Sequence, residues 1–92
     1  MDITSFSFFE IKDPTGIMVG NRYEFLLDVE VDEDDELYTE GGLELRVILA
    51  KDDNGERIAH YNFIDKLSHK ALEFGLEDDE EAEILAFCAD KL

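Results

Sequence analysis

The amino-acid sequence predicts an α+β protein, in which an antiparallel meander sheet of about five strands carries one C-terminal helix on its apolar face. Apolar and polar residues alternate along several segments before residue 78, as half-buried strands require. After that point the apolar residues follow the spacing of one helix face. The connections are short, which favours antiparallel neighbours, and one amphipathic helix can cover one face of a sheet.

The first three strands are predicted from residue type and alternation. Residues 3–12 are rich in Phe, Ile, Thr and Ser and end at a turn signal in residues 13–16, Asp-Pro-Thr-Gly. A second turn signal, Gly20-Asn21, precedes residues 23–32, where apolar and polar residues alternate strictly. Residues 43–50 alternate in the same way. The sequence therefore predicts three amphipathic strands, of which the second is the clearest.

A hairpin is predicted at residues 52–55, Asp-Asp-Asn-Gly, because Asn-Gly tolerates the positive φ of tight turns. The return strand covers residues 57–65. Simple alternation places Ala59, Tyr61 and Phe63 on one face of it. The opposite face then takes Ile58, His60, Asn62 and Ile64.

After a turn at residues 66–70, a short fifth strand is predicted where Leu72, Phe74 and Leu76 alternate with glutamates. A helix beginning at Leu67 is the competing interpretation, and Gly75 argues against it.

The C-terminal helix is predicted from the spacing of four apolar residues and from its acidic start. Asp78 is suited to the N-cap position, with Glu81 three residues later. Acidic residues fill the first turns and Lys91 lies at the other end, as the helix dipole favours. The apolar face consists of Ile84, Leu85, Cys88 and Leu92, with Phe87 on its flank.

Length and composition indicate one domain, residues 1–92. A hydrophobic content of 45% with seven Phe and three Tyr can fill a modest core, which makes disorder an unsuitable description. The single Cys88 fits a reducing compartment, and the N-terminus does not have the pattern of a secretory signal. The apolar runs are far shorter than the roughly 20 residues of a membrane span. We therefore expect a cytoplasmic protein that does not enter a membrane.

Acidic residues are concentrated in two blocks. Ten carboxylates and no base lie between Arg22 and Arg46, and eight more lie from Ala71 to Asp90, again without Lys or Arg. Together they hold 18 of the 25 acidic residues of a chain whose net charge is −17. Such a surface repels nucleic acid phosphate and anionic lipid and attracts basic surfaces and hard cations. Direct binding to nucleic acid is therefore not expected.

The acidic loop at residues 32–36 has oxygen ligands at alternate positions, as Ca²⁺ prefers. A calcium loop beginning at Asp32 would need glycine sixth and glutamate twelfth, whereas this chain has Leu37 and Leu43. His60 and His69 lie in different elements and do not have zinc-ligand spacing. We therefore predict no metal site.

Catalytic signatures are also missing from the sequence. It has no nucleophile motif, no glycine loop for phosphate and no histidine beside a nucleophile. Cys88 lies on the apolar stripe of an acidic helix, which suits a core residue better than a nucleophile. We therefore predict no catalytic residue, no cofactor and no enzymatic activity.

Two segments resemble a family of small acidic proteins of unknown function from Gram-positive, spore-forming bacteria. They are residues 22–38 (RYEFLLDVEVDEDDELY) and residues 72–81 (LEFGLEDDEE), with Phe87-Cys88 following. The resemblance implies no catalytic residue, ligand or partner. A pullulanase label on such relatives would not suit this chain, because 92 residues cannot hold the barrel and substrate cleft of that enzyme.

The leading functional hypothesis is a protein-interaction domain that docks on a partner protein with a basic surface. The candidate contact residues lie on the outer face of the second strand and in the loop beyond it: Glu24, Asp28, Glu30, Asp32, Glu33, Asp34, Asp35 and Glu36. Electrostatic docking of this kind weakens with salt. The alternative is a nucleic-acid mimic that blocks a DNA-binding protein, and an enzymatic or metal-dependent role ranks third.

Overall fold

The computed structural model describes residues 2–12 and 20–92, which form one antiparallel sheet and one helix. The five strands follow the chain order, and each is antiparallel to the next. This confirms the predicted α+β meander; the turn predicted at residues 13–16 lies outside the described residues. The elements are β1 (Asp2–Ile11), β2 (Asn21–Glu30), β3 (Leu43–Asp52), β4 (Gly55–Asp65), β5 (Ala71–Leu72) and α1 (Asp78–Lys91).

The core lies between one face of the sheet and α1. The sheet contributes alternate residues of β2 and β3 and one residue of β4, as the period of two requires. From the helix, Ile84 and Cys88 are buried, while Leu85 and Phe87 pack at the edge of the cluster. Leu92, predicted to share the apolar stripe, is the exposed C-cap residue. The buried sheet residues are Phe25, Leu27, Val29, Leu43, Leu45, Val47, Leu49 and Phe63.

A bulge in β4 changes which side chains reach this core. Ile48 is paired with His60, but the next residue of β3, Leu49, is paired with Ile58, so Ala59 is an extra residue. The extra residue reverses the alternation, as bulges do. Ile58 therefore packs against the core, and the prediction that it shares the outer face with His60 is wrong.

Strand β1 lies at the edge of the sheet and carries three phenylalanines. Thr4 forms a bulge near its start, after which Phe6 is opposite Leu27 and Phe8 is opposite Phe25. The Phe8 ring stacks on Phe25 at a centroid distance of 4.8 Å, and Phe6 meets Phe87 of the helix edge-on at 5.5 Å. These two rings extend the core face to the sheet edge, where both stay about two-fifths exposed, at 43% and 40%.

Two predicted strands end earlier than expected. β2 ends at Glu30, so Asp32 lies in the following loop and not on the strand. β5 has only two residues, because pairing with β4 stops after Phe63–Leu72 and Ile64–Ala71. Beyond it the backbone N–H of Leu76 donates to the Tyr61 hydroxyl at 2.7 Å, so a side chain replaces the strand partner. The residues after Asp65 form a turn, and the alternative of a helix from Leu67 is wrong.

The helix begins one residue away from the predicted capping position. Glu77, not Asp78, is the N-cap residue, and it forms a capping box with Glu80. The Glu80 carboxylate accepts the Glu77 backbone N–H at 3.0 Å. Two carboxylates of the second acidic block therefore serve to cap the helix backbone.

Candidate functional site

Glu24, the first predicted contact residue, lies on the outer face of the sheet and is ion-paired. Its carboxylate accepts a hydrogen bond from the Nε of Arg46 on the neighbouring strand. The Glu24 side chain is only 16% exposed. At this depth an unpaired carboxylate would be costly, so the Arg46 guanidinium stabilises it in place. Glu24 therefore has an internal partner and presents little negative charge to another protein.

Asp28 is also neutralised from within the chain. The Lys66 ammonium donates to one carboxylate oxygen at 2.8 Å, and the Ser5 hydroxyl donates to the other at 2.6 Å. Both bonds favour the ionised carboxylate, and the Lys66 bond followed by the Ser5 bond holds the pKa of Asp28 below its ordinary value. The same pair raises the pKa of Lys66. The fold therefore supplies a counter-ion to Glu24 and to Asp28, although no base lies within the first acidic block of the sequence.

We expect the substitution Asp28→Asn to destabilise the fold at neutral pH and to lose this effect in acid. A lowered pKa in the folded state stabilises above the unfolded pKa of about 3.9, and this stabilisation disappears as the pH falls through the folded-state value. Because the pair is open to solvent, the effect at pH 7 is no more than ~1 kcal/mol. Urea unfolding of the two proteins at pH 7 and pH 3 measures it. Asp34→Asn is the control, and equal losses in both variants would contradict the assignment.

The remaining predicted contact residues, Glu30 and residues 32–36, lie at one end of the sheet. Glu30 is opposite Asp2 of β1, so two like charges face each other across the strands. These two carboxylates line a shallow depression of about 240 Å³ together with Val31, Asp32 and Asp35. Glu30 and Asp32 are exposed. This end of the molecule therefore keeps the free negative charge that the centre of the outer face lacks.

Within the acidic loop, Asp35 has a structural role that the other members lack. Its carboxylate accepts the backbone N–H of Leu37 at 2.9 Å, and its own N–H donates to the Asp32 carbonyl at 2.9 Å. A third bond, from the Tyr38 N–H to the Asp35 carbonyl, closes the turn at 3.0 Å. Such side-chain bonds fix a turn locally. Glu33, Asp34 and Glu36 are left exposed on its surface.

The two acidic blocks meet at one cleft, which we call the acidic cleft. It has a volume of about 390 Å³ and lies between the acidic loop and the start of α1. Its apolar part is made by Leu37, Phe74 and Gly75, and the Phe74 ring is 41% exposed. The carboxylates of the cleft are Asp34, Asp35, Glu36, Glu77 and Glu80. A lining that combines apolar residues with carboxylates suits a lysine or arginine side chain, whose stem is apolar and whose head is cationic.

Candidate metal ligands and nucleophiles are not brought together. Among residues 2–12 and 20–92 no three His, Cys, Asp or Glu side chains are arranged to hold a metal ion. His60 is exposed opposite Ile48, and His69 lies in the turn after β4 with a φ of 61°. Cys88 is buried, and burial raises the pKa of its thiol to about 12. This confirms Cys88 as a core residue.

Sequence reasoning did not identify the basic residues that pair with carboxylates, and so it did not separate the paired carboxylates from the unpaired ones. Arg46 and Lys66 can be read in the sequence, but the carboxylates with which they pair cannot. Those partners depend on the strand register and on where the turn after β4 lies against the sheet. Phe74 was assigned to a strand, although Gly75 after it and the acidic run beyond were signals of a loop. Only the fold brings that loop beside residues 34–37.

The described part of the chain contains no helix long and apolar enough to cross a membrane. No curated protein and no solved structure matches the chain. A family model does match, and it covers residues 1–92, the whole of the sequence. The chain therefore belongs to the Family of unknown function (DUF6509).

Proposed function

We propose that this chain is a non-enzymatic interaction protein, which docks its acidic cleft on a basic surface of another protein. The observation that carries the proposal is the meeting of both acidic blocks around the exposed Phe74 ring. Repelling carboxylates are gathered there although Glu24 and Asp28, elsewhere on the molecule, have internal counter-ions. Charge of this kind attracts a basic partner and raises the rate of encounter.

The candidate contact residues differ in how well their surroundings suit contact with a partner. Glu24 and Asp28 are the weakest candidates, since a partner would have to compete with Arg46 and Lys66. Asp34 and Glu36 are the strongest, because they line the cleft and have no described ion-pair partner within 4.0 Å. The proposed contact therefore moves from the outer face of β2 to the end of the sheet. Glu30, Asp32 and Glu33 flank it.

The setting of the proposal is the cytoplasm. A free thiol at Cys88 is compatible with a reducing compartment. The inert character of that thiol supports a role without nucleophilic chemistry. The proposal includes the finer resemblance of residues 22–38 and 72–81 to small acidic proteins of Gram-positive, spore-forming bacteria.

The test is affinity capture from a lysate of the producing organism, with a charge-matched pair of variants. The cleft variant carries Asp34→Asn and Glu36→Gln; the control carries Asp53→Asn and Asp90→Asn, two exposed positions outside the cleft. Both remove two negative charges. We expect a specific protein to be retained at ~0.15 M salt, where surface charges are screened beyond ~8 Å, by the wild type and the control but not by the cleft variant.

Two results would contradict the proposal. Equal capture by both variants would mean that net charge alone is responsible for the binding. Retention of a mixture of basic proteins that all dissociate with salt would mean the same. If duplex DNA displaces the captured protein, and that protein binds DNA, the chain acts as a nucleic-acid mimic instead. Titration of the purified partner by calorimetry then gives the affinity of each variant.

A further inference from the structure

The hairpin between β3 and β4 carries the one Asn-Gly pair of the sequence, Asn54-Gly55. Asp53 and Asn54 form the turn, and Gly55 begins β4 opposite Asp52. The φ of Gly55 is 114°, a backbone conformation that residues with side chains rarely adopt, so the turn requires glycine after Asn54. Asparagine is among the chemically labile residues of proteins, and a following glycine leaves its own backbone nitrogen unhindered. The fold therefore places a reactive pair at the tip of the hairpin.

Both reacting groups of this pair are accessible. Asn54 is exposed, and its side-chain amide forms no hydrogen bond with a described residue, whereas its backbone N–H donates to the Asp52 carboxylate at 2.8 Å. Beside Gly55, the position that a side chain would occupy has no heavy atom within 4 Å. Gly55 is the first residue of its strand, and the ends of strands open more readily than their centres. The Asn54 side chain and solvent can therefore reach the Gly55 nitrogen when the tip of the hairpin opens.

We propose that Asn54 is a site of spontaneous deamidation, in which the Gly55 backbone nitrogen attacks the side-chain carbonyl carbon of Asn54. The nitrogen loses its proton and bonds to Cγ, the bond from Cγ to Nδ2 breaks, and Nδ2 takes up a proton and leaves as ammonia. Water then opens the cyclic imide (succinimide) that results. Attack of water at Cγ gives aspartate, and attack at the backbone carbonyl carbon gives isoaspartate, in which the main chain runs through Cβ and Cγ.

The other two asparagines of the chain are not followed by glycine and do not lie in a turn. Asn21 is the first residue of β2 and precedes Arg22. Asn62 lies within β4 and precedes Phe63. A side chain on the following residue hinders the approach of that residue's nitrogen. Asn62 is also enclosed, since its Oδ1 atom is buried and Phe63 is part of the core. Asn21 and Asn62 therefore serve as comparison sites within the same molecule.

Deamidation changes both the charge and the length of the turn. A carboxylate at position 54 follows the carboxylates of Asp52 and Asp53, and Arg57 is already paired with Asp52 at 3.1 Å. Isoaspartate also adds an atom to the main chain between Asp52 and Gly55. Each product carries one more negative charge than the unmodified chain, so anion-exchange chromatography separates the modified protein from the unmodified protein.

The deamidation site is independent of the docking proposed above, because the hairpin and the acidic loop lie at opposite ends of β3. The strand begins at Leu43, opposite Val29 near the acidic loop, and ends at Asp52. The 10 residues of this strand separate the two ends by about 30 Å. Protein deamidated at Asn54 should therefore still dock through the acidic cleft, and loss of docking leaves the chemistry at Asn54 unaffected. Either proposal can thus fail without the other.

Storage of the folded protein for several weeks in mildly alkaline buffer, followed by trypsin digestion and mass spectrometry, tests the proposal. Trypsin cleaves after Lys51 and Arg57 and so isolates residues 52–57. We expect this peptide to gain the mass that exchange of NH₂ for OH adds, and to yield an aspartate and an isoaspartate product that fragmentation distinguishes. The peptides that contain Asn21 and Asn62 should keep their mass. A sample digested without storage corrects for conversion during the digestion itself.

Asn54→Gln is the matched variant for this experiment. Its longer side chain would have to close a larger and less favourable ring, so the peptide of residues 52–57 should keep its mass in this variant. An unchanged mass of the same peptide in the stored wild type would overturn the proposal. Equal conversion at Asn21 or Asn62 would also overturn it, because the rate would then depend neither on Gly55 nor on the turn.

Discussion

Replacing Phe63 by alanine is expected to remove about 3–5 kcal/mol of stability, because the ring is fully buried at the centre of the core. It lies opposite Leu45 of β3 and Leu72 of β5, so its loss leaves a cavity between three strands. Domains of this size have about 5–15 kcal/mol in total. The melting temperature should fall by roughly 15–30 °C.

Thermal and urea unfolding measure this loss. Leu67→Ala is the control, since that side chain is 77% exposed in a turn and its truncation should cost less than ~0.5 kcal/mol. Similar losses in both variants would mean that the core does not lie where β3, β4 and α1 enclose it.

The second large effect concerns the repulsion within the acidic blocks. Three of their eighteen carboxylates, Glu24, Asp28 and Asp90, form ion pairs with described bases, and the other fifteen form none within 4.0 Å. Self-repulsion destabilises a compact state, and salt screens it. We therefore expect the melting temperature to rise by several degrees between low salt and ~0.15 M, since ~1 kcal/mol corresponds to about 4–8 °C here.

Mild acidification towards pH 5 should act in the same direction, because it lowers the net negative charge of the chain while the lowered pKa of Asp28 keeps that pair ionised. A single neutralisation provides the internal check. Asp34→Asn in the acidic loop should raise the melting temperature at low salt more than Asp53→Asn, an exposed acid of the β3–β4 hairpin outside both blocks. A melting temperature that is flat or falls with salt would show that the blocks do not repel.

Local sequence signals determined most of the fold. Alternation defined β2 and β3, and Asn54-Gly55 placed the hairpin, where the positive φ of 114° falls on the glycine. These features depend on residues close in the chain. The bulge at Ala59 could not be predicted, since it depends on how β4 fits the twist and register of β3.

The candidate site was less predictable than the fold for a related reason. Negative charge is visible in a sequence, but its neutralisation is not, because Lys66 lies 38 residues from Asp28. The helix cap shows the same difficulty on a smaller scale: Glu77 and Asp78 are both acceptors, and backbone geometry decides between them. Sequence reasoning therefore found the acidic loop but not the cleft that joins it to α1.

The position of Cys88 has a practical consequence for measuring motion in this protein. The chain has one thiol, and that thiol lies fully buried between α1 and the sheet, with its pKa raised to about 12. Alkylating reagents attack thiolates, so native Cys88 can react only when the helix lifts from the sheet or the molecule unfolds. The rate at which Cys88 is labelled therefore reports the opening of the helix–sheet contact, and no added probe is needed.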